Sequence, residues 1–385
     1  MRIGLITGEY PPMQGGVADF TRELGRALAA QGHEVFVLTD RQGVGLDDAG
    51  VMVTAQVRNW NAAGLSAVGR WAHAHRLDVL NLQYQTAAFR MAGMIHLLPG
   101  RVADVPFVTT FHDLLPPYLF PKVGGLRQRA VWGLARTSTA SIVTNHADER
   151  TLEHLGGVPC LCRIPIGSNI EDAPPPDFDR AAWRARLGVG EDETLVGYFG
   201  FLNRSKGVDT LLNALQRANS TGRPFTLLMI GGRTGASDPT NVAYAAEVDA
   251  LIAELGLAER VLWTGFVTPA EVSGYFACCD LCALPYNEGV SLRHGTFMAA
   301  IAHGCPVITT TPSYHLPELH NKENVYFVAP QSVSGLAAAL RTLATQPDVR
   351  AHLSAGAREL AGLFAWDNIA AQTAALFAEL LAARQ

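Results

Sequence analysis

The sequence has no run of eighteen consecutive apolar residues, so no segment has the length of a bilayer-spanning helix. Charged residues make up only 17% of the 385 and apolar residues 48%, which excludes a disordered chain, where the balance runs the other way. The net charge of −5 is not the basic balance of a nucleic-acid binder, and no nucleic-acid partner is expected. Cysteines are few: Cys160, Cys162, Cys278, Cys279, Cys282 and Cys305, all in apolar contexts. Cys279 and Cys282 have the spacing of a metal or redox pair. No second pair stands at zinc-site distance, however, and the six read as reduced core residues. The opening Met1-Arg2-Ile3-Gly4-Leu5-Ile6 has too short an apolar run for a signal peptide, and no small-residue cleavage site follows it. It reads as a buried strand. Short-period repeats and low-complexity tracts are missing too.

What is present is an alternation of short apolar runs and helical patterns, the signature of parallel sheets covered by helices. In the first half, strands are expected at Ile3–Thr7, Glu34–Leu38, Val51–Val53, Val79–Leu82, Phe107–Phe111, Ser141–Thr144 and Cys160–Ile164. A helix over Val17–Gln31 carries the stripe Phe20, Leu24, Leu28. Three prolines in a row at 174–176 can hold neither a helix nor a central strand and mark a linker. Beyond it the alternation resumes, with strands expected at Thr194–Phe201, Thr226–Ile230, Val261–Thr264, Leu281–Leu284, Pro306–Thr309 and Val325–Val328, and a last helix over Trp366–Ala382. At this length two domains are the natural reading. The fold class expected is α/β, with two Rossmann-like doubly wound domains facing across a cleft. Charge is uneven: Val51–Asn145 holds Arg58, Arg70, Arg76, Arg90, Arg101, Lys122, Arg127, Arg129 and Arg136 against Asp78, Asp104 and Asp113. Such a patch suits an anionic acceptor or a membrane surface, although a solvated arginine-rich face is the plainer reading.

The segment Gly197–Asp209 carries most information. Its apolar run ends in a short loop with Arg204 and Lys206, and a helical pattern follows with Val208, Leu211, Leu212 and Leu215. Cations at the carboxyl end of a buried strand face the crevice where α/β sheets bind ligands, and suit a departing diphosphate. In the first half, Thr7 is followed by a loop with Gly15-Gly16 and then a helix. Paired glycines admit close approach of a ligand, and helix-start N–H groups favour an anion. The G-x-G-x-x-G dinucleotide spacing is absent. His112 follows the run Phe107–Phe111, where it can donate a hydrogen bond to a ligand hydroxyl or to developing charge.

These segments resemble retaining, nucleotide-sugar-dependent glycosyltransferases of family 4, which have the GT-B fold. The resemblance covers nearly the whole chain. It implies domains over 1–172, completed by 366–385, and over 173–365, the second holding the donor. It implies that Arg204 and Lys206 neutralise the donor diphosphate, that the Gly15-Gly16 loop closes over it, and that His112 lies near the donor sugar. By the same resemblance Gly232 and Phe266 would border the nucleotide, and Pro285–Ala300 with Gly304-Cys305-Pro306-Val307-Ile308 is similar to the family's acidic loop, helix and following strand. There the pattern breaks. The family has a Glu that touches the sugar and, eight residues on, a second that holds the ribose. Counting forward from Glu288, the second position is Thr296; counting back from Gly304 it is Ala299, with Ser291 as its partner. No acid occurs between Gly289 and Pro317, so the ribose carboxylate is missing on either count. Arg293, His294, Gly295 and Thr296 offer charge and helix-start N–H groups in compensation.

The activity implied is sugar transfer from a nucleoside-diphosphate sugar to an acceptor hydroxyl with retention, by front-face attack. No cofactor or divalent metal is expected; Asp177-Phe178-Asp179 has the look of a metal-binding pair but falls in the linker. Alternatives are a GT-B epimerase or phosphorylase, or a non-catalytic nucleotide-sugar binder. The basic first half points to an anionic or lipid-linked acceptor and to peripheral contact with the inner face of a membrane, with a cytoplasmic location.

Overall fold

The computed structural model describes residues 1–13, 15–43, 48–114, 124–220, 224–233 and 239–384. Gln14 and Lys122 lie outside them. The chain forms two compact units, Met1–Asn169 with Phe364–Gln385, and Ile170–Leu363.

In the first unit the order is β1 (Arg2–Thr7), α1 (Gly16–Ala30), β2 (Glu34–Asp40), β3 (Val51–Val57), α2 (Ala62–Ala74), β4 (Val79–Tyr84), β5 (Phe107–Phe111), α3 (Gly124–Thr137), β6 (Ala140–Val143), α4 (His146–Leu155) and β7 (Leu161–Arg163). The strands form one sheet in the order β3-β2-β1-β4-β5-β6-β7, every pairing parallel. Apolar runs without alternation give this arrangement, because helices cover both faces. One face packs on Phe20, Leu24 and Leu28 of α1 together with Ile369, Ala370 and Phe377 from the carboxyl-terminal helix. The other packs on Trp60, Trp71, Phe89 and Leu134. Asn61 and Asn145 cap α2 and α4 with their side-chain oxygens.

The second unit runs α5 (Arg180–Arg186), β8 (Thr194–Phe199), α6 (Val208–Asn219), β9 (Phe225–Ile230), α7 (Pro239–Glu254), β10 (Val261–Trp263), α8 (Pro269–Cys278), β11 (Leu281–Leu284), α9 (Gly295–Ala302), β12 (Val307–Thr310), β13 (Tyr326–Val328), α10 (Val333–Thr345) and α11 (Pro347–Leu363). Then α12 (Trp366–Ala382) returns to the first unit. The second sheet is again parallel, in the order β10-β9-β8-β11-β12-β13. Asp179 caps α5 by accepting from the Ala182 N–H at 2.7 Å, which gives this residue of the linker a structural role. β8 stops two residues short of its expected end because Gly200 turns the chain at φ 108°.

In each sheet the strand order reverses once beside the first strand: between β1 and β4, and between β8 and β11. Loops at the carboxyl ends of those pairs diverge and leave room for a ligand. Gly15 and Gly16 follow β1, Arg204 and Lys206 follow β8, and Glu288, Ser291, Arg293, His294, Gly295 and Thr296 follow β11; His112, Gly232 and Phe266 follow the neighbouring strands β5, β9 and β10.

Candidate functional site

In the second unit, the loop after β8 and the loop after β11 are stitched together. The Asn287 N–H donates to the Ser205 carbonyl at 2.8 Å, and Asn287 Nδ2 donates to the Arg204 carbonyl at 2.7 Å. Gly207, at φ 67°, approaches so closely that a Cβ there would lie 2.1 Å from the Pro285 carbonyl oxygen. Asn203 Oδ1 accepts from the Ser205 N–H and hydroxyl and shapes the short 3-10 turn Arg204–Lys206.

That turn sends its two cations different ways. Arg204 is 64% exposed, pairs with Glu247 of α7 at 2.5 Å, and lies 4.9 Å from the centre of the Tyr244 ring. Lys206 turns inward instead: a Cβ on Gly200 would meet its Nζ at 2.9 Å and the Thr296 methyl at 2.6 Å. No carboxylate among the described residues pairs with it, and burial lowers its pKa to about 8. An ammonium so buried favours an anionic partner.

Beside it, the turn before α9 holds His294, whose ring stacks on Tyr286 at 3.9 Å. The Ser291 N–H donates to His294 Nδ1 at 3.1 Å, so the proton of the neutral ring is on Nε2. Burial first, then the charges of Lys206 and Arg293, lower its pKa to about 4, leaving a neutral N–H donor near Lys206 at ordinary pH. The Ser291 hydroxyl accepts from the Arg293 N–H at 3.3 Å and so serves the turn. Gly295 and Thr296 open α9, and the Thr296 hydroxyl bonds Tyr286 at 2.7 Å. Glu288 is exposed in the loop. Ala299 is fully buried. Neither Thr296 nor Ala299 supplies the carboxylate missing from the sequence. Around the carboxyl ends of β8, β9 and β10, Gly232 makes room for the Phe201 ring, and Phe201 and Phe266 are 45% and 83% exposed.

In the first unit, the start of α1 does not wait for an outside anion. Glu9 Oε1 accepts from the Val17 and Ala18 N–H groups at 3.2 and 3.3 Å. Burial, against these hydrogen bonds, holds the carboxyl above its ordinary pKa. Gly15 is extended at φ −179°, a conformation open to any residue; what demands glycine is Glu9, whose Oε1 would lie 2.1 Å from a Cβ. Gly16 faces open space. Beside Gly15-Gly16, the Val17 and Ala18 N–H groups are thus held by a side chain of the protein itself, eight and nine residues upstream of them.

His112 follows β5 directly. Its Nε2 stands 3.0 Å from Gln83 Oε1, its ring meets Phe20 edge-on at 4.7 Å, and burial alone lowers its pKa to about 3. It is thus neutral, and its partners differ from those expected of a donor to developing charge. Sequence reasoning passed over Asn81, Glu9, Tyr286 and Glu247. Asn81 left a signal, since Asn81 and Gln83 are polar at period two in an otherwise apolar strand. Glu9 left none, because a carboxylate in a strand-to-helix loop looks like any solvated charge.

The family profile described as "Glycosyl transferases group 1" matches residues 193–346, and that of "Glycosyltransferase Family 4" matches residues 14–171. The GDP-mannose-dependent alpha-(1-6)-phosphatidylinositol monomannoside mannosyltransferase of Mycobacterium tuberculosis is 26% identical over 97% of both chains. The D-inositol 3-phosphate glycosyltransferase of Xylanimonas cellulosilytica is 27% identical over 95% of this chain and 92% of its own. Among solved structures, sucrose-phosphate synthase from Thermosynechococcus elongatus superposes with a TM-score of 0.75 at 23% identity, covering 99% of both chains. HepE of Anabaena, in complex with UDP and glucose, gives 0.75 at 21% identity over 98% of this chain and 100% of that one. Family profiles thus match within both units, and the relatives span nearly the full length: the chain belongs to glycosyltransferase family 4 and has the GT-B fold.

Proposed function

We propose that the protein transfers a hexosyl group from a nucleoside-diphosphate sugar to an acceptor hydroxyl with retention of anomeric configuration. The observation that carries this reading is the Lys206 ammonium, turned inward at the strand-order reversal of the second sheet with no carboxylate among the described residues to pair it. A diphosphate supplies the missing counter-ion, and the charge that develops as the sugar leaves is what a preorganised cation stabilises. The neutral His294 N–H and the first N–H groups of α9 add donors without adding charge. Arg204 joins them when it exchanges Glu247 for a phosphate, at little cost, because an exposed ion pair is weak. The exposed rings of Phe201 and Phe266 suit the base, and Glu288 is free to orient sugar hydroxyls. With cations and helix N–H groups doing the neutralising, the reaction needs no divalent metal.

The relative named for a phosphatidylinositol mannoside, and the basic stretch 51–145, support an anionic or lipid-linked acceptor. Among the described residues no helix is long and apolar enough to cross a membrane, and a lipid-linked acceptor would be met by peripheral contact. The test is donor turnover with and without acceptor, on wild type and Lys206→Ala. Acceptor-dependent release of the nucleoside diphosphate, cut by two to three orders of magnitude in the variant, is expected for a loss of about 3–4 kcal/mol. Donor conversion that ignores the acceptor would indicate an epimerase, and an unchanged Lys206→Ala rate would remove the lysine from the mechanism.

A further inference from the structure

In a nucleoside diphosphate the pentose is bonded directly to the phosphates, so it lies beside whatever holds them. In dinucleotide-binding α/β folds an Asp or Glu reads the ribose by accepting from its 2′-hydroxyl. The surroundings of Lys206, all within the second unit, are built differently. From the ammonium the wall runs along the ends of β8 and β9 as bare main chain. Gly200 and Gly231 lie side by side there, in the left-handed region at φ 108° and 102°. A Cβ on Gly231 would stand 4.0 Å from the Gly200 nitrogen. Gly232 comes next, where a Cβ would stand 3.2 Å from the exposed Phe201 ring. Glycines thus lead from the ammonium to the ring, with no side chain to read a hydroxyl. The Gly200 N–H donates to the Ile230 carbonyl at 3.1 Å and the Gly231 N–H to Thr264 Oγ1 at 2.9 Å, so both donors are already used.

On the other side stands the start of α9. Thr296 turns its methyl toward Gly200, and its hydroxyl is bonded to Tyr286 at 2.7 Å. The Ser291 hydroxyl accepts from the Arg293 N–H at 3.3 Å and lies 3.5 Å from the Tyr314 hydroxyl. Ala299 is fully buried and has no polar side-chain atom. The charges agree with this inventory. Burial alone lowers the Lys206 pKa, and burial with two cations lowers that of His294; no carboxylate among the described residues enters either balance. Glu247 is turned to Arg204.

We propose that this site holds its donor by the diphosphate and leaves the pentose unread, so that 2′-deoxyribonucleoside diphosphate sugars serve as donors as well as their ribose counterparts do. The proposal rests on the reading that Lys206 holds the diphosphate. A site built to bond a hydroxyl rejects the analogue without it, because a buried polar group is then left unpaired. Here removal of the 2′-hydroxyl leaves no side chain without its partner. The donor class so admitted includes thymidine diphosphate sugars, whose pentose is 2′-deoxyribose.

Calorimetry of the full chain with base-matched pairs tests this: UDP against dUDP, GDP against dGDP, and ADP against dADP. For the base that binds, the two dissociation constants should agree within about fivefold, against the four orders of magnitude or so by which a hydroxyl-reading site discriminates. Lys206→Ala should weaken both members of the pair equally, by about tenfold or more, as loss of a charged partner does. The matching donors, such as UDP-glucose and dUDP-glucose, should then show kcat/KM values that agree within the same factor. A deoxynucleotide bound more weakly than its partner by a larger factor, with both still sensitive to Lys206→Ala, means that a group here reads the pentose. That result overturns the proposal and leaves the diphosphate on Lys206. Binding of no pair, or binding that Lys206→Ala leaves unchanged, overturns the diphosphate reading and the proposal with it.

Discussion

Lys206 is held charged at a place that disfavours charge. A pKa lowered to about 8 means that the unfolded state binds this proton more tightly than the folded one, so the cost is present at neutral pH and disappears as pH rises through 8 toward the ordinary lysine value. The penalty is about 3 kcal/mol at neutral pH. Lys206→Met should therefore raise Tm by several degrees while abolishing most turnover, the pattern of a residue kept for function. A bound diphosphate returns the proton affinity, so nucleotide binding should take up about half a proton at pH 8 and close to one near pH 9.5. Calorimetry in buffers of different ionisation enthalpy measures this, and proton-neutral binding would contradict the placement of the diphosphate on Lys206. The glycines of the α1 loop give a second contrast. Gly15→Ala must push Glu9 off the Val17 and Ala18 N–H groups, a lost cap costing about 1 kcal/mol, whereas Gly16→Ala enters open space and should be neutral or slightly stabilising. Urea midpoints separate the two, and equal effects would remove Glu9 as the reason for the glycine.

At the scale of elements, the strands and the final helix were legible because parallel sheets write themselves as short, wholly apolar runs between helical stripes. Phe107–Phe111, Leu281–Leu284 and Trp366–Ala382 fall where the pattern put them. Lys206 and His294 were legible as types of residue in the right loops. Which way a side chain leaves its loop was not, because that depends on partners distant in sequence: Glu247 for Arg204, 43 residues on, and Gln83 for His112, 29 residues back. The hydrogen-bond sense of His294 was equally hidden, since it comes from an N–H of the main chain. The stitch between the β8 and β11 loops is of the same kind. Asn287→Ala removes its bond to the Arg204 carbonyl and loosens the turn that aims Lys206. We expect kcat/KM to fall on the order of tenfold with Tm changed by only a degree or two, as misplacement rather than unfolding. Steady-state kinetics beside a melting curve decides it, and a large drop in Tm would make the stitch structural instead.

For the molecule as a whole, each unit carries a largely buried histidine that stays neutral far below its ordinary range: His112 with a pKa of about 3 in the first and His294 of about 4 in the second. Unfolded histidine takes a proton below about pH 6.5, so stability is full above that value and falls with acid until the folded-state pKa is reached. Each unit should lose about 1.4 kcal/mol per pH unit between about pH 6 and 4 from these residues. Urea titrations at stepped pH would show it. His112→Asn and His294→Asn should each flatten the slope of one transition, and an acid slope unchanged in both would mean that the rings protonate in the fold.

An ammonium that lacks an internal partner does not distinguish the arriving donor from what remains after the sugar has gone. The spent nucleoside diphosphate keeps the phosphate oxygens that Lys206 attracts, so its escape is expected to be the slow step, with a fast first turnover followed by a slower steady rate. The same cation that speeds bond cleavage would then make the protein responsive to how quickly its surroundings clear free nucleotide.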